Sequence, residues 1–177
     1  MTEFHQFPAV VELAVVPLPN ADADDPIVLP RYGTPLADRA RAAVARVSRS
    51  SHDVRDALSS VLEAVSGLER TLSWSTGTLV LSKAGIELKP ELVLIGEGAI
   101  DLQRAGPWAN EQPVITYVVL EIRDARHLLV LRGTVLQRDD GARLSLRGLR
   151  AEERDLIVAF VFQQEAKERR RALDHPD

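Results

Sequence analysis

Apolar side chains recur at alternating steps of three and four residues between positions 37 and 72. This spacing is the a/d pattern of a left-handed coiled coil, and it lasts for about five heptads. Thr34, Pro35 and Asp38 supply an N-cap, a first-turn proline and a first-turn acid, so we expect a helix to begin there. The pattern predicts a helical oligomerisation segment over residues 35–73, with a seam formed by Val44, Val47, Val54, Leu58, Val61, Val65, Leu68 and Leu72.

An ordinary amphipathic helix pair is the alternative interpretation of this segment. Ser50 and Asp53 form an acceptable capping-box start for a second helix, which would break the segment near residues 48–51. Several e and g positions hold small or apolar residues, which widens the apolar face and favours contact among more than two helices. We favour self-association, because a period of 3.5 residues held for this long is what a supercoil requires.

From Trp74 onward the hydrophobic period becomes two, which predicts an antiparallel β unit. The triplet Asp139-Asp140-Gly141 predicts a tight hairpin turn between two of its strands. A flat sheet of five or six short strands would leave exposed edges, so closure into a small barrel is the simplest solution. The predicted strands cover residues 76–81, 92–95, 114–122, 128–136 and 142–146.

A closing helix is expected over about residues 151–172. Acids in its first turn and the arginines at 169–171 in its last turn complement the helix dipole. Its first half is apolar all round and is expected to cover the barrel's edge or mouth with Leu156, Ile157, Phe160 and Val161.

The N-terminal residues 1–34 are rich in proline and acidic side chains, which indicates an extended arm. Val11, Leu13 and Val15 alternate with other residues, so one short strand is expected within the arm. The predicted class is therefore α+β: a long coiled-coil-like helix or helix pair precedes a small antiparallel barrel with a C-terminal helix. The domains are an arm (1–34), a helical segment (35–73), a barrel with its closing helix (74–172) and a tail (173–177).

Composition narrows the range of functions. The 177 residues are 45% hydrophobic, enough for one ordinary core, and their formal net charge of -4 gives no reason to expect nucleic acid as a partner. The absence of cysteine excludes thiol chemistry and disulfides. No apolar run is long enough to span a bilayer and no leader pattern opens the chain, so we expect a cytoplasmic protein without membrane insertion.

Candidate catalytic and metal-binding patterns are weak. Gly96-Glu97-Gly98 is not followed by Gly-Lys-Ser/Thr and indicates a strand bend, while Glu97 and Asp101 are more typical of a solvated rim than of an acid/base pair. Trp108 is expected to pack over the barrel mouth rather than to anchor a ligand. We predict no enzymatic activity, no cofactor and no metal site, since metal-ligand spacing is missing among His5, His52, His127 and His175.

Four segments together resemble a PilZ domain. They are Val-Leu-Ser-Lys-Ala-Gly-Ile-Glu-Leu at residues 80–88, Leu-Arg-Gly-Thr-Val at 131–135, Ala-Arg-Leu-Ser-Leu at 142–146 and the start of the closing helix at 149–162. The resemblance implies a six-stranded antiparallel barrel with a C-terminal helix. It also implies a place in bacterial signalling by cyclic di-GMP, which many PilZ domains bind.

The resemblance implies a degenerate ligand site. PilZ receptors carry an Arg-x-x-x-Arg arm before the barrel and an Asp/Asn-x-Ser-x-x-Gly turn on an early strand. Ser82 and Gly85 match that turn and are the candidate ligand-binding residues, but Val80 replaces the acid or amide. The arm pattern is missing between residues 39 and 70. The pairs with that spacing lie after the turn and are interpreted as coincidence: Arg143 with Arg147, and Arg150 with Arg154.

The expected function is that of a PilZ-like, non-catalytic regulatory adaptor in bacterial cyclic di-GMP-linked signalling. It would form a homo-oligomer through the helical segment and act through protein partners, with weak or no nucleotide binding. One alternative is a true receptor whose arginines come from a neighbouring subunit, with Arg46, Arg49, Arg55 and Arg70 as candidates. Another is a coiled-coil scaffold unrelated to PilZ domains.

Overall fold

The computed structural model describes residues 6–27, 29 and 52–174. The first part of the predicted helical segment, residues 35–51 with Val44 and Val47, lies outside the described residues. The chain divides into two compact units, one of Met1–Pro26 with Gly85–Asp177 and one of Ile27–Ala84. The elements are β1 (Gln6–Pro17), α1 (His52–Lys83), β2 (Lys89–Gly96), β3 (Ala99–Leu102), β4 (Pro113–Ile122), β5 (Ala125–Arg138), β6 (Gly141–Arg147) and α2 (Ala151–Asp174).

The six strands form a closed antiparallel barrel in the order β1-β2-β3-β6-β5-β4. A closed antiparallel barrel is therefore confirmed, but the prediction placed all of its strands within residues 74–172, whereas β1 lies in the predicted arm. β1 closes the barrel by pairing on both sides. Gln6 to Leu13 pair with Gly96 to Lys89 of β2, and Glu12 to Pro17 pair with Val119 to Val114 of β4. Closure leaves no unpaired edge, which is the physical reason for expecting a barrel from many short strands.

β1 lies within the segment expected to be an extended arm. The short strand predicted around Val11, Leu13 and Val15 is present, but it runs for 12 residues. Ala9, Val11 and Leu13 are buried in the core cluster, while Val10 between them is 68% exposed. The alternation is that of a strand with one face on the core and one face in solvent.

The prediction of a strand over residues 76–81 is wrong, because these residues form the end of α1. Thr76, Thr78 and Val80 are β-branched and favour strands when taken alone. In the helix, the Thr78 hydroxyl donates to the Trp74 carbonyl one turn earlier, at 3.1 Å. Helical continuity from upstream residues outweighs the local propensity, as tertiary context commonly does.

Three tight hairpins set the register of the remaining strands, and one of them pairs Ile122 with Ala125 across Arg123-Asp124. Arg138 pairs with Gly141 across Asp139-Asp140, which confirms the predicted turn. A Cβ at Gly141 would lie 2.1 Å from the Leu102 carbonyl oxygen, so only glycine fits there. Gly96 pairs with Ala99 across Glu97-Gly98, so the expected strand bend is a hairpin that begins β3.

The core fills the barrel and extends to α2. Ile157, Phe160 and Val161 belong to the same buried cluster as Val11, Ile95 and other strand residues, and Leu156 packs against that cluster. The closing helix therefore contributes to the barrel core, as predicted. Burying side chains of this size contributes about 1.5–3 kcal/mol each relative to exposure.

We expect Phe160→Ala to destabilise the barrel by about 3–5 kcal/mol, because it removes a large side chain that is 3% exposed. For a chain of this size, such a loss lowers the melting temperature by roughly 6–20 °C. Phe162→Ala is the matched control, since Phe162 lies on the same helix and is 64% exposed. Equal melting temperatures for both variants in a calorimetric scan would show that α2 is not part of the core.

Candidate functional site

The residues that match the PilZ turn lie at the end of a helix. Val80 and Ser82 belong to the last turns of α1, and Gly85 follows the helix with a φ of 75°. The Ala84 amide donates to the carbonyls of Val80 (3.1 Å) and Leu81 (3.0 Å), which completes the helix end. A glycine in the left-handed region just after a helix is a common C-terminal cap. The expectation that Ser82 and Gly85 lie in a turn on an early strand is therefore wrong.

Three of the four arginines with Arg-x-x-x-Arg spacing are engaged by carboxylates of the barrel unit. Arg143 pairs with Asp101, Arg150 with Glu153, and Arg154 with Glu97, whose Oε1 lies 2.9 Å from the Arg154 Nε. These contacts give each arginine a structural partner. They support the interpretation of the two spacings as coincidence.

Asp101 is the centre of an ionic cluster on the outer face of the barrel. Asp101 is buried, with 12% of its side chain exposed, and its carboxylate accepts two hydrogen bonds from Arg143, each of 2.6 Å, in a bidentate arrangement. A third comes from Arg138 at 3.3 Å, and Arg143 also donates to the Gln6 side chain at 3.1 Å. The hydrogen bond to Asp101 raises the pKa of Arg143. The cluster links β3, β6, β5 and β1, so we assign Asp101 a structural role.

Arg150 and Glu153 form the N-terminal cap of α2. The Glu153 carboxylate accepts a hydrogen bond of 2.9 Å from the backbone amide of Arg150 and also accepts one from the Arg150 guanidinium. This is the acidic half of a capping box, and it places a negative charge at the positive end of the helix. The hydrogen bond that the Arg150 guanidinium donates to Glu153 raises the pKa of Arg150.

Trp108 lies in the connection between β3 and β4 and packs against the barrel core. A Cβ at Gly106 would lie 1.9 Å from the indole ring, so the glycine allows the ring to cover the backbone at that point. The Gln137 side chain donates to the Trp108 carbonyl at 2.6 Å. The indole therefore has the packing role expected from the sequence.

Two concave surfaces formed by described residues of the barrel unit are large enough to consider as ligand sites. The larger, of about 320 Å³, lies between α2 and the strands, with Phe160 at its base and Lys167 at its rim. An ion pair of 2.6 Å between Arg126 and Glu12 occupies one of its walls. The lining of this cavity includes acidic and basic side chains in equal number: Glu12, Glu121, Arg126 and Lys167. The cavity therefore favours neither an anionic nor a cationic ligand.

The smaller cavity, of about 190 Å³, lies on the outer face of β5 and β6 and is bounded by the loop after β1. Its polar side chains are Arg132, Thr134 and Arg147, and its apolar lining includes Leu18 and Pro113. The loop is held by a hydrogen bond of 2.7 Å from the Tyr117 hydroxyl to Asp25. Burial, together with this bond, raises the pKa of Tyr117.

The sequence patterns did not identify the three polar residues of this cavity, Arg132, Thr134 and Arg147, as site residues. The alternation of β5 places Arg132 and Thr134 on one face of a strand. The turn at residues 139–140 brings Arg147 opposite Arg132. The sequence alone predicts this pairing once the turn is identified, because a two-residue hairpin loop fixes the register of the two strands that it joins.

α1 carries an apolar stripe that is exposed in the described chain. Val54, Val61, Leu68 and Leu72 are 44–66% exposed, and Leu58 and Val65 are partly buried. Leu79, one heptad after Leu72, is 54% exposed and extends the stripe beyond the predicted seam. The structure shows α1 as a helix in one chain, and the coiled coil stays a prediction.

Two general features of the described residues bear on the site. No helix among them combines the length and apolar character needed to cross a membrane. In the same part of the chain, no three His, Asp or Glu side chains are grouped so that they could hold a metal ion.

Comparisons with protein-family models, with curated proteins and with solved structures found no match for this chain.

We expect Asp101→Ala to lower the free energy of unfolding by about 1–3 kcal/mol, because it leaves two arginines without their shared acceptor. Asp140→Ala is the control, since Asp140 is exposed in the β5–β6 turn. Denaturant titration followed by far-ultraviolet circular dichroism measures both variants. A structural role for Asp101 is contradicted if the two variants have the same midpoint.

Proposed function

We propose that this protein is a PilZ-like, non-catalytic regulatory adaptor in bacterial cyclic di-GMP-linked signalling, which self-associates through α1 and acts on protein partners in the cytoplasm. The observation that carries the proposal is the closed six-stranded antiparallel barrel with a C-terminal helix packed into its core. This is the architecture that the PilZ resemblance implies. Fold alone does not specify an activity, so the site residues decide between an adaptor and a receptor.

The site residues favour an adaptor with weak or no nucleotide binding. A receptor needs two arginines to grip the phosphates and an acceptor to read the guanine edge. Position 80 holds an apolar valine, and Ser82 is an exposed residue in the last turn of a helix. Arg143, Arg150 and Arg154 already pair with carboxylates, so using them for a ligand would break existing ion pairs. Recognition of a phosphate requires guanidinium groups whose N–H donors are not already used by other acceptors.

We therefore expect no measurable binding of cyclic di-GMP in a calorimetric titration that detects dissociation constants up to roughly 100 μM, or about 5.5 kcal/mol of affinity. Ser82→Ala is expected to behave as the parent does in the same titration. A cyclic di-GMP-binding protein titrated in parallel verifies the ligand preparation.

A micromolar isotherm from the parent chain would contradict the adaptor proposal. It would favour the alternative of a true receptor with arginines from a neighbouring subunit. Single substitutions of the candidates to glutamine would then identify the donors, which are Arg46, Arg49, Arg55 and Arg70.

Self-association is supported by the exposed stripe on α1. The a positions 58, 65, 72 and 79 and the d positions 54, 61 and 68 hold Val or Leu, while the d positions 75 and 82 hold serine. Five of these seven side chains are exposed and two, Leu58 and Val65, are partly buried, so the face presents a largely apolar stripe to solvent in the described chain. Each would gain about 1.5–3 kcal/mol from full burial, so a second copy of α1 is a favourable cover.

We expect Leu58→Lys to dissociate the oligomer, because it places a charge in the middle of the seam. The barrel is expected to stay folded, since its core is built from its own strands and α2. Ser59→Lys is the matched control, because it adds the same charge at the neighbouring b position. Light scattering coupled to size exclusion gives the mass directly.

The parent and Ser59→Lys are expected at a multiple of the 19.5 kDa chain mass, and Leu58→Lys at that mass itself. Leu79→Lys tests the extension of the stripe and should also weaken assembly. A parent that elutes as a monomer at high concentration would exclude association through α1.

A further inference from the structure

We propose that the 190 Å³ cavity bounded by Arg132, Thr134 and Arg147 is a binding site for a compact phosphate group, carried either by free phosphate or by a small phosphate monoester. Three observations carry the inference: two opposed arginines, an accessible threonine hydroxyl beside them that has no hydrogen bond within the described residues, and apolar side chains in the lining of the same cavity. The inference does not rest on the proposed function, because it uses only contacts within the barrel unit.

The two arginines are directly opposite each other on the outer face of the hairpin. Arg132 of β5 is the register partner of Arg147 of β6. Like charges at directly opposed positions of an antiparallel pair are destabilising. A bound anion between the two guanidinium groups would remove this repulsion.

The described chain leaves both guanidinium groups with unused donors. Arg132 donates to the Ala23 carbonyl at 2.9 Å, and no carboxylate of the described residues lies within ion-pair distance of it. Arg147 is exposed and makes neither a hydrogen bond nor an ion pair with the part of the chain that the structure describes. Arg138 and Arg143 of the same hairpin, by contrast, are both paired with Asp101.

Thr134 supplies a third donor. Its side chain lines the cavity and the residue is only 8% exposed. Its hydroxyl makes no hydrogen bond within the described residues and stays accessible in the cavity, so it is able to donate to a ligand. An oxyanion in the cavity would accept hydrogen bonds from that hydroxyl and from both guanidinium groups. A phosphate has several acceptor oxygens and suits this combination of donors.

The apolar walls and the neighbouring loop define the size and the strength of the site. Leu18 and Pro113 form part of the apolar lining, while Arg132 and Arg147 are exposed, so water reaches both guanidinium groups. The loop that contains Ala23 also carries Asp22 and Asp24, whose charges oppose a large or highly charged anion. We therefore expect a small ligand and a dissociation constant of roughly 0.1–1 mM.

Nuclear magnetic resonance on the full chain tests the site. Inorganic phosphate and glycerol phosphate are titrated separately against chloride at matched ionic strength, and the amide signals of Gly133, Thr134 and Gly148 are followed. We expect saturable shifts of these signals with at least one phosphate probe. Tighter binding of glycerol phosphate would assign the site to a monoester, and tighter binding of inorganic phosphate would assign it to the free ion.

Three variants assign the binding to the cavity. Arg147→Gln is expected to raise the dissociation constant by about tenfold or more, since it removes a charge-assisted contact. Thr134→Val keeps the side-chain shape and is expected to raise the constant several-fold. Arg170→Gln removes the same charge from an exposed position on α2 and should leave the constant unchanged.

The proposal is overturned if phosphate shifts these amide signals no more than chloride does, or if Arg147→Gln binds phosphate as Arg170→Gln does. A second measurement needs no ligand. In phosphate-free buffer at low salt, Arg147→Gln is expected to melt at the same temperature as the parent or higher, because it relieves repulsion. A lower melting temperature would show that the chain itself satisfies Arg147, and would also overturn the proposal.

Discussion

The pairing of β1 with both β2 and β4 is the constraint on which the rest of this structure depends. β1 begins at Gln6, and its partners begin at Lys89 and Pro113, so the barrel closes only across a long stretch of chain. The entropic cost of closing a loop grows slowly with its length, so a long insertion between paired strands is tolerated. The helical unit is that insertion, and it is therefore tethered at both ends to one barrel.

Charge on the barrel surface is arranged mostly as internal pairs. Asp101, Glu97 and Glu153 each hold an arginine that could otherwise have served a ligand. This arrangement engages Arg143, Arg150 and Arg154 in structural pairs and explains why their spacing is misleading as a binding motif. Arg147 is different, because it faces Arg132 beside a cavity and has no partner within the described residues. The contrast within one hairpin separates structural arginines from an arginine available for recognition.

Sequence patterns correctly predicted those elements in which the turn residues, the helix caps and the hydrophobic period all indicated the same structure. The hairpin at residues 139–140 and the closing helix, with its acidic first turn, carry turn, cap and periodicity signals that point the same way. The segment 76–81 was predicted wrongly because its β-branched residues favour a strand, whereas Lys83 and Gly85 are signals for the end of a helix. The Asp101 cluster depends on contacts among four strands, which no local pattern encodes. The pairing of Arg132 with Arg147 could have been predicted from the sequence, since it follows from the hairpin register alone.

Closure of the barrel by β1 is the central claim, because the core of the barrel unit depends on it. Amide hydrogen exchange of the intact protein, resolved along the chain, tests this claim most directly. A closed barrel predicts that the paired amides of β1 exchange within about tenfold of those in β4, since both would open only with the whole barrel. Rapid exchange throughout residues 6–17, with β4 and β5 still protected, would contradict it and show that the barrel is complete without its first strand.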